Sequence, residues 1–174
     1  MLAAACSSAR PVSESPAVEN HAGSAVAVPI GLDIMFTRTE CMGTCPVYAV
    51  AIHHDGRVDW EGRRYVRVVG RGHKQLERTG LDQLAVAIDG ARFFEREHDG
   101  RLPPPPCDDH NGTTICLRGF STCSDTSHFT ISVTRDGKTH EVDDAGCYRE
   151  ELEDLRRLER VLEQVAGTAT WVGH

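Results

Sequence analysis

The segment that most constrains this chain is Cys41-Met-Gly-Thr-Cys45-Pro-Val-Tyr48. Two cysteines four apart enclose a glycine, and a proline then feeds an alternating apolar run, so a crosslink, a reversal and the start of a strand share eight residues. A disulfide across so short a loop removes about 2 kcal/mol of unfolded-chain entropy. The run that follows, Val47 to Ile52, is apolar on both of its faces, as in a strand with neighbours on each side.

Downstream, Asp55-Gly56 sits between two strand-like runs and predicts a hairpin with a type I′ turn. Val58 to Glu61 is read as the returning strand, and Gly62 as a bend leading into a further run, Tyr65 to Val69. Asp33 to Arg38 is read as a strand preceding the cysteine turn. Phe129, Ile131 and Val133 alternate ahead of a second Asp-Gly pair, Asp136-Gly137, with Lys138 to Val142 returning. Thr79-Gly-Leu-Asp82 opens a helix in the manner of a capping box, with Leu81, Leu84, Ala85 and Ile88 on one face, Gly90 at its end, and Phe93 and Phe94 seating the exit. Leu152, Leu155, Leu158, Leu162 and Val165 mark a second amphipathic helix, with Asp143 or Asp144 as its cap and Gly167 as its stop. Acidic side chains come early in it and arginines late, as the helix dipole favours. The prediction is an α+β fold: an antiparallel sheet built from two Asp-Gly hairpins and packed against two amphipathic helices.

A third feature interrupts this plan. Gly100 to Cys107 contains four consecutive prolines, and the chain to Cys123 reads as an irregular, cysteine-rich loop, so about residues 100–128 are read as an insertion. Residues 1–30 are rich in Ser, Ala and Pro without period, as in a disordered tether, leaving 31–174 as one domain. The tail carries two acids and one base, so it hides no basic domain.

The opening motif, the Asp-Gly hairpin, the strand Glu61-Gly62-Arg63-Arg64-Tyr65-Val66 and the closing Gly167-Thr168-Ala169-Thr170-Trp171-Val172 together resemble the DUF6438 family of bacterial domains of unknown function, over Leu32 to Gly173. The resemblance implies a small α+β domain, often on exported proteins, and it implies no activity and no catalytic residues. The region corresponding to 100–128 is usually shorter in that family.

Composition points the same way. A net charge of −7 gives no general attraction to phosphate backbones or anionic lipid, so nucleic acid is not the expected partner. Met1-Leu-Ala-Ala-Ala-Cys6-Ser-Ser reads as the end of a lipoprotein signal without its charged start and apolar core, with Cys6 as the lipidated residue. If Cys6 carries lipid, the remaining Cys41, Cys45, Cys107, Cys116, Cys123 and Cys147 form an even set, as disulfides in an exported chain require. The preferred pairing is Cys41–Cys45, Cys116–Cys123 and Cys107–Cys147; a reduced chain with scattered thiols is the alternative.

The expected function is that of a membrane-anchored envelope lipoprotein, periplasmic or outer-surface, acting as a non-catalytic binding module for a protein or an anionic ligand. Its candidate surface is the basic run Arg63, Arg64, Arg67 and Arg71, which also reads as an ordinary strand edge guarded by charge. Two alternatives stand beside it. Cys41 and Cys45 could serve as a redox pair, although a strand rather than a helix follows them and no helix N-terminus lowers a thiol pKa there. The Cys107–Cys147 region, with Asp108, Asp109, His110 and His128, could bind metal, but lacks the close cysteine pairs of zinc modules. His53 and His54 are neighbours on a hairpin and so point apart. No cofactor and no catalytic residue is expected, and neither a nucleophile elbow, a zincin motif nor a P-loop is present.

Overall fold

A computed structural model describes residues 31–103, 108–110, 113–115, 125–144 and 152–173. Six strands form one antiparallel sheet: β1 (Asp33–Arg38), β2 (Val47–Ile52), β3 (Arg57–Arg64) and β4 (Gly70–Gln75), joined by β7 (Phe129–Arg135) and β8 (Lys138–Asp143). The order across the sheet is β4-β3-β2-β1-β7-β8. The second hairpin therefore docks on β1, with Phe36 opposite Ile131 and Ile34 opposite Val133. β2 lies inside the sheet as its two-sided pattern predicts.

Alternation decides which face is covered. Ile34 and Phe36, Tyr48, Val50 and Ile52, Val58 and Trp60, and Phe129, Ile131 and Val133 are all buried, and they share one core with Leu81, Leu84 and Ile88 of α1 (Arg78–Gly90) and Leu155, Leu158 and Leu162 of α2 (Glu153–Ala166). The α+β prediction stands, with both helices on this single face. The other face, including Met35, Ala49 and Ala51, has no helix over it among the described residues.

Several local predictions give way to tertiary structure. β3 runs past Gly62 to Arg64 with a register irregularity opposite Val47 and Tyr48, the chain turns over Tyr65–Val69, and β4 begins at Gly70, so the predicted strand Tyr65–Val69 is the connection instead. A Cβ on Gly62 would meet the Val68 carbonyl oxygen at 2.1 Å, so glycine there permits a close crossing of the returning chain. The Asp55-Gly56 turn is not type I′. Only Gly56 has positive φ, at 87°, and His53 N–H donates to Arg57 O at 2.8 Å, which makes a three-residue loop ending in a left-handed glycine. Asp136 and Gly137 do both have positive φ, at 52° and 76°.

Helix ends show the same pattern. α1 begins at Arg78 after Glu77, with no side-chain cap, so the Thr79 capping box is not formed. It ends at Gly90, but the left-handed residue is Arg92, and Phe93 is buried in the short 3-10 turn that follows. α2 starts behind Leu152, and neither Asp143 nor Asp144 caps it; Asp144 accepts the Phe129 N–H at 2.8 Å instead. Gly167 does terminate α2, at φ 67°. A final turn, α3 (Ala169–Val172), follows. Within the insertion, β5 (Asp108–His110) pairs antiparallel with β6 (Thr113–Ile115), so this stretch is not wholly irregular.

Candidate functional site

The cysteine turn sits at the end of the sheet where β1 hands over to β2. Thr39 anchors its start: its N–H donates to His128 O at 3.1 Å, while its hydroxyl accepts His128 N–H at 2.9 Å. Cys41 and Cys45 are joined by a disulfide across Cα atoms 5.7 Å apart, a separation that suits such a bridge. Between them Met42 stands 82% exposed, and Gly43 donates its N–H to Cys41 Sγ at 3.3 Å. Beside the bridge, Arg64 pairs with Glu40 at 2.9 Å.

Three residues past the bridge, Tyr48 turns inward. Its ring stacks on Trp60 with centroids 4.8 Å apart, and its hydroxyl donates to Glu163 Oε1 of α2 at 2.5 Å. Arg38 Nε donates to the same oxygen at 2.9 Å, with its guanidinium over Phe129. Burial and then the Glu163 carboxylate push the Tyr48 phenol well above its ordinary value. Burial acts to lower the Arg38 value, but Glu163 outweighs it and the net direction is upward.

The closing segment meets the same stack from the other side. Trp171 lies on Trp60 with centroids 5.2 Å apart, so Tyr48, Trp60 and Trp171 form one column. Trp60 Nε1 donates to Val68 O at 3.0 Å, while Val68 N–H donates to Trp171 O at 2.9 Å and Arg67 N–H to Val172 O at 2.8 Å. The Tyr65–Val69 connection is thus clasped between the β3 tryptophan and the C-terminal turn. The opening, middle and closing motifs converge on one structural clasp.

The family model for a domain of unknown function, DUF6438, matches residues 32–166. This chain belongs to the DUF6438 family. No curated protein matches it significantly.

In this DUF6438 domain the basic run does not converge on one surface. Arg63 pairs with Glu61 at 3.3 Å, Arg64 with Glu40, and Arg67 donates to Thr170 O. Arg57 pairs with Asp59 at 3.3 Å, and Lys74 turns inward to Val165 O at 3.0 Å. Within this run, only Arg71 has no hydrogen-bond or ion-pair partner among the described residues; it lies exposed on β4 beside His73.

Of the six cysteines expected to pair, the described residues contain Cys41 and Cys45; Cys107, Cys116, Cys123 and Cys147 lie outside them, as does Cys6. His53 sits against Asp59 at 2.8 Å, and the His54 ring is 3.4 Å from Asp33. Among the described residues no group of three or more His, Cys, Asp or Glu could hold a metal ion. None of the described helices is long and apolar enough to cross a membrane.

One polar cluster escaped the sequence reading. On α2, Glu159 is only 3% exposed and faces Asp144, 1% exposed, with the Arg156 guanidinium 3.0 Å from Asp144 and 3.5 Å from Glu159. Burial, and next the Asp144 charge, push the Glu159 carboxyl up to about 8. Its signal was present in the sequence: Glu159 falls four residues after Leu155 and three before Leu162, on the apolar stripe itself. Among the described residues, an open concavity of about 740 Å³ lies between α1 and α2 around Val86, Ala87 and Val161, and another of about 620 Å³ lies on the open sheet face around Met35, Ala51 and Arg71.

Proposed function

We propose that this domain is a disulfide-braced, non-catalytic binding module that takes up an extended, acidic segment of a partner protein along β4. The observation that carries the reading is an asymmetry between the two sheet edges. β8 is partly covered by its own chain, with Asp143 N–H donating to His98 O at 2.7 Å and the His140 ring meeting Arg96 O at 2.9 Å. No described strand pairs with the outer side of β4. Leu76 N–H donates to Gly56 O at 2.8 Å, continuing the β3–β4 register. The alternation of an antiparallel ladder then turns the backbone groups of Gly72 and Lys74 towards β3 and those of Arg71 and His73 outward.

An added strand would find backbone partners there and pair its acids with Arg71 and His73. The Arg71 charge also discourages β4 from adding a second copy of itself. In the cell envelope the module is held to the membrane by lipid on Cys6, with the Ser, Ala and Pro-rich segment as tether. Tyr48 of the opening motif and Trp171 of the closing one both stack on Trp60, which supports a scaffolding role for these two side chains.

The test is site-specific photo-crosslinking of the full-length protein in its native envelope, with the crosslinker at His73 and, for comparison, at Val86. A discrete adduct from position 73 that is lost in Arg71→Glu is the expected result. Adducts from position 86 alone, or adducts from 73 that persist in Arg71→Glu, would refute β4 as the docking edge. Intact mass of the same material reads acylation at Cys6, and an unmodified Cys6 would remove the anchor.

A further inference from the structure

We propose that Cys41 and Cys45 form a site of reversible thiol–disulfide exchange with a solvent-accessible disulfide of another protein, in which Cys41 is the exchanging sulfur. This goes beyond the β4 reading and does not depend on it.

Three observations lead here. The first concerns what the bridge holds. Arg38 and Tyr48 already face each other in the β1–β2 ladder, so that ladder closes the loop from Thr39 to Val47 before any sulfur is joined. Thr39 is separately tied to Ser127 and His128, and Tyr48 is fixed by Trp60 and Glu163. The bridge acts chiefly by constraining the unfolded chain, whereas in the folded protein the ladder already holds this loop closed, so the bridge can open without unfolding the core.

Access is the second. Cys41 and Cys45 are partly exposed, and Met42, Gly43 and Thr44 between them are exposed. A partner chain can reach the sulfurs without displacing a packed element.

The third distinguishes the two sulfurs. Gly43 N–H donates to Cys41 Sγ at 3.3 Å, whereas no such donor meets Cys45 among the described residues. An amide aimed at sulfur favours the charged form, so it stabilises Cys41 as a thiolate when the bridge is open. It supplies locally what a helix N-terminus supplies in other exchange sites.

In the reduced pair, the Cys41 thiolate attacks one sulfur of the substrate disulfide. The substrate S–S bond breaks, a mixed disulfide forms on Cys41, and the first substrate sulfur leaves as thiolate and takes up a proton. The Cys45 thiol then loses its proton and attacks Cys41 Sγ, expelling the second substrate sulfur, which is protonated. The protein pair is oxidised by two electrons, and one substrate disulfide becomes two thiols. The reverse sequence oxidises a substrate dithiol.

The experiment equilibrates full-length protein with oxidised and reduced glutathione at graded ratios, quenches by alkylation, and maps the peptide carrying Cys41 and Cys45. The bridge should open and reclose within minutes while the near-ultraviolet signal of the Trp60–Trp171 stack persists. A bridge that stays closed for hours at every ratio, or that opens only as the stack is lost, overturns the proposal. In Cys45→Ser, oxidised glutathione should add to Cys41 about tenfold faster in the folded protein than in urea, and Gly43→Pro in that background should remove most of the advantage. Equal rates in the folded and unfolded states would overturn the assignment of Cys41. Replacing oxidised glutathione with a protein disulfide separates the two sources: equal or slower reaction with the protein would make the site one for small thiols and overturn the protein-substrate claim.

Discussion

Glu159 and Glu163 lie one turn apart on α2, yet the protein treats them in opposite ways. Glu163 receives Arg38 Nε and the Tyr48 hydroxyl on one oxygen, so its charge is matched by a cation and a donor from two strands. Glu159 is buried beside Asp144, and the two carboxyls share the single guanidinium of Arg156. Two buried anions against one cation leave an excess charge that a low-dielectric setting opposes, so the pair retains a proton and Glu159 is the group raised to about 8. Helical position buried Glu159 and left Glu163 part-exposed, where partners arriving from the sheet meet it.

The comparison can be broken most severely at its shared cation. Arg156→Ala removes the guanidinium that contacts both Asp144 and Glu159, and urea unfolding at neutral pH should show a loss of about 3–5 kcal/mol. A loss below about 1 kcal/mol would mean that the cluster is hydrated rather than buried.

Next in size is the pH dependence of Glu159. Its folded-state value of about 8 lies above the ordinary 4.5, so the folded protein holds this proton more tightly than the unfolded chain. The resulting stabilisation is fully present below pH 4.5 and is lost as pH rises from there through about 8. The difference in unfolding free energy between wild type and Glu159→Gln should therefore shift by about 2–3 kcal/mol in favour of the variant between pH 5 and pH 7. Parallel profiles would show that Glu159 is ionised in the folded protein. The groups facing it are Asp144, Arg156 and, at longer range, Arg38.

Removing the satisfied carboxylate should cost less. Glu163→Ala strands Arg38 and the Tyr48 hydroxyl together, and a loss of about 2 kcal/mol in the same unfolding experiment is expected. The smallest effect belongs to Tyr48→Phe, which keeps the stack on Trp60 and deletes one hydrogen bond, for about 1 kcal/mol. A Tyr48→Phe loss matching that of Glu163→Ala would assign the whole contribution to the phenol and none to Arg38.

Much of the sheet was legible because period-two burial is a local signal. Phe129, Ile131 and Val133 alternate in the sequence and point into the core in the structure. The leucines of α2 and the glycine that ends it were legible for the same reason. The edge strand was not: β4 reads Gly-Arg-Gly-His-Lys-Gln, with neither branched nor aromatic residues, and becomes a strand only because β3 offers it a ladder. A Cβ on Gly72 would stand 3.6 Å from both Trp171 and Trp60. The basic run looked like one patch because its residues are close in sequence. Their partners come from Glu40, Thr170 and Val165, which no local pattern connects with it.

The two Asp-Gly dipeptides separate what each level decides. By itself the sequence determined that the chain reverses at Asp55-Gly56 and at Asp136-Gly137, because glycine opens left-handed backbone at no steric cost. It likewise determined the family and the apolar faces of both helices, and made Cys41–Cys45 the preferred bridge, each a property of neighbouring residues. Only the tertiary structure decided that Asp55 stays out of the left-handed region while Asp136 enters it, since the registers of β2 with β3 and of β7 with β8 fix how many residues each loop must span. It also decided that Tyr48, Trp60 and Trp171 form one column and that Glu163 meets Arg38 and Tyr48. Those outcomes depend on groups more than a hundred residues apart in the chain, whose energies of contact and desolvation exist only once the sheet and α2 have closed on each other.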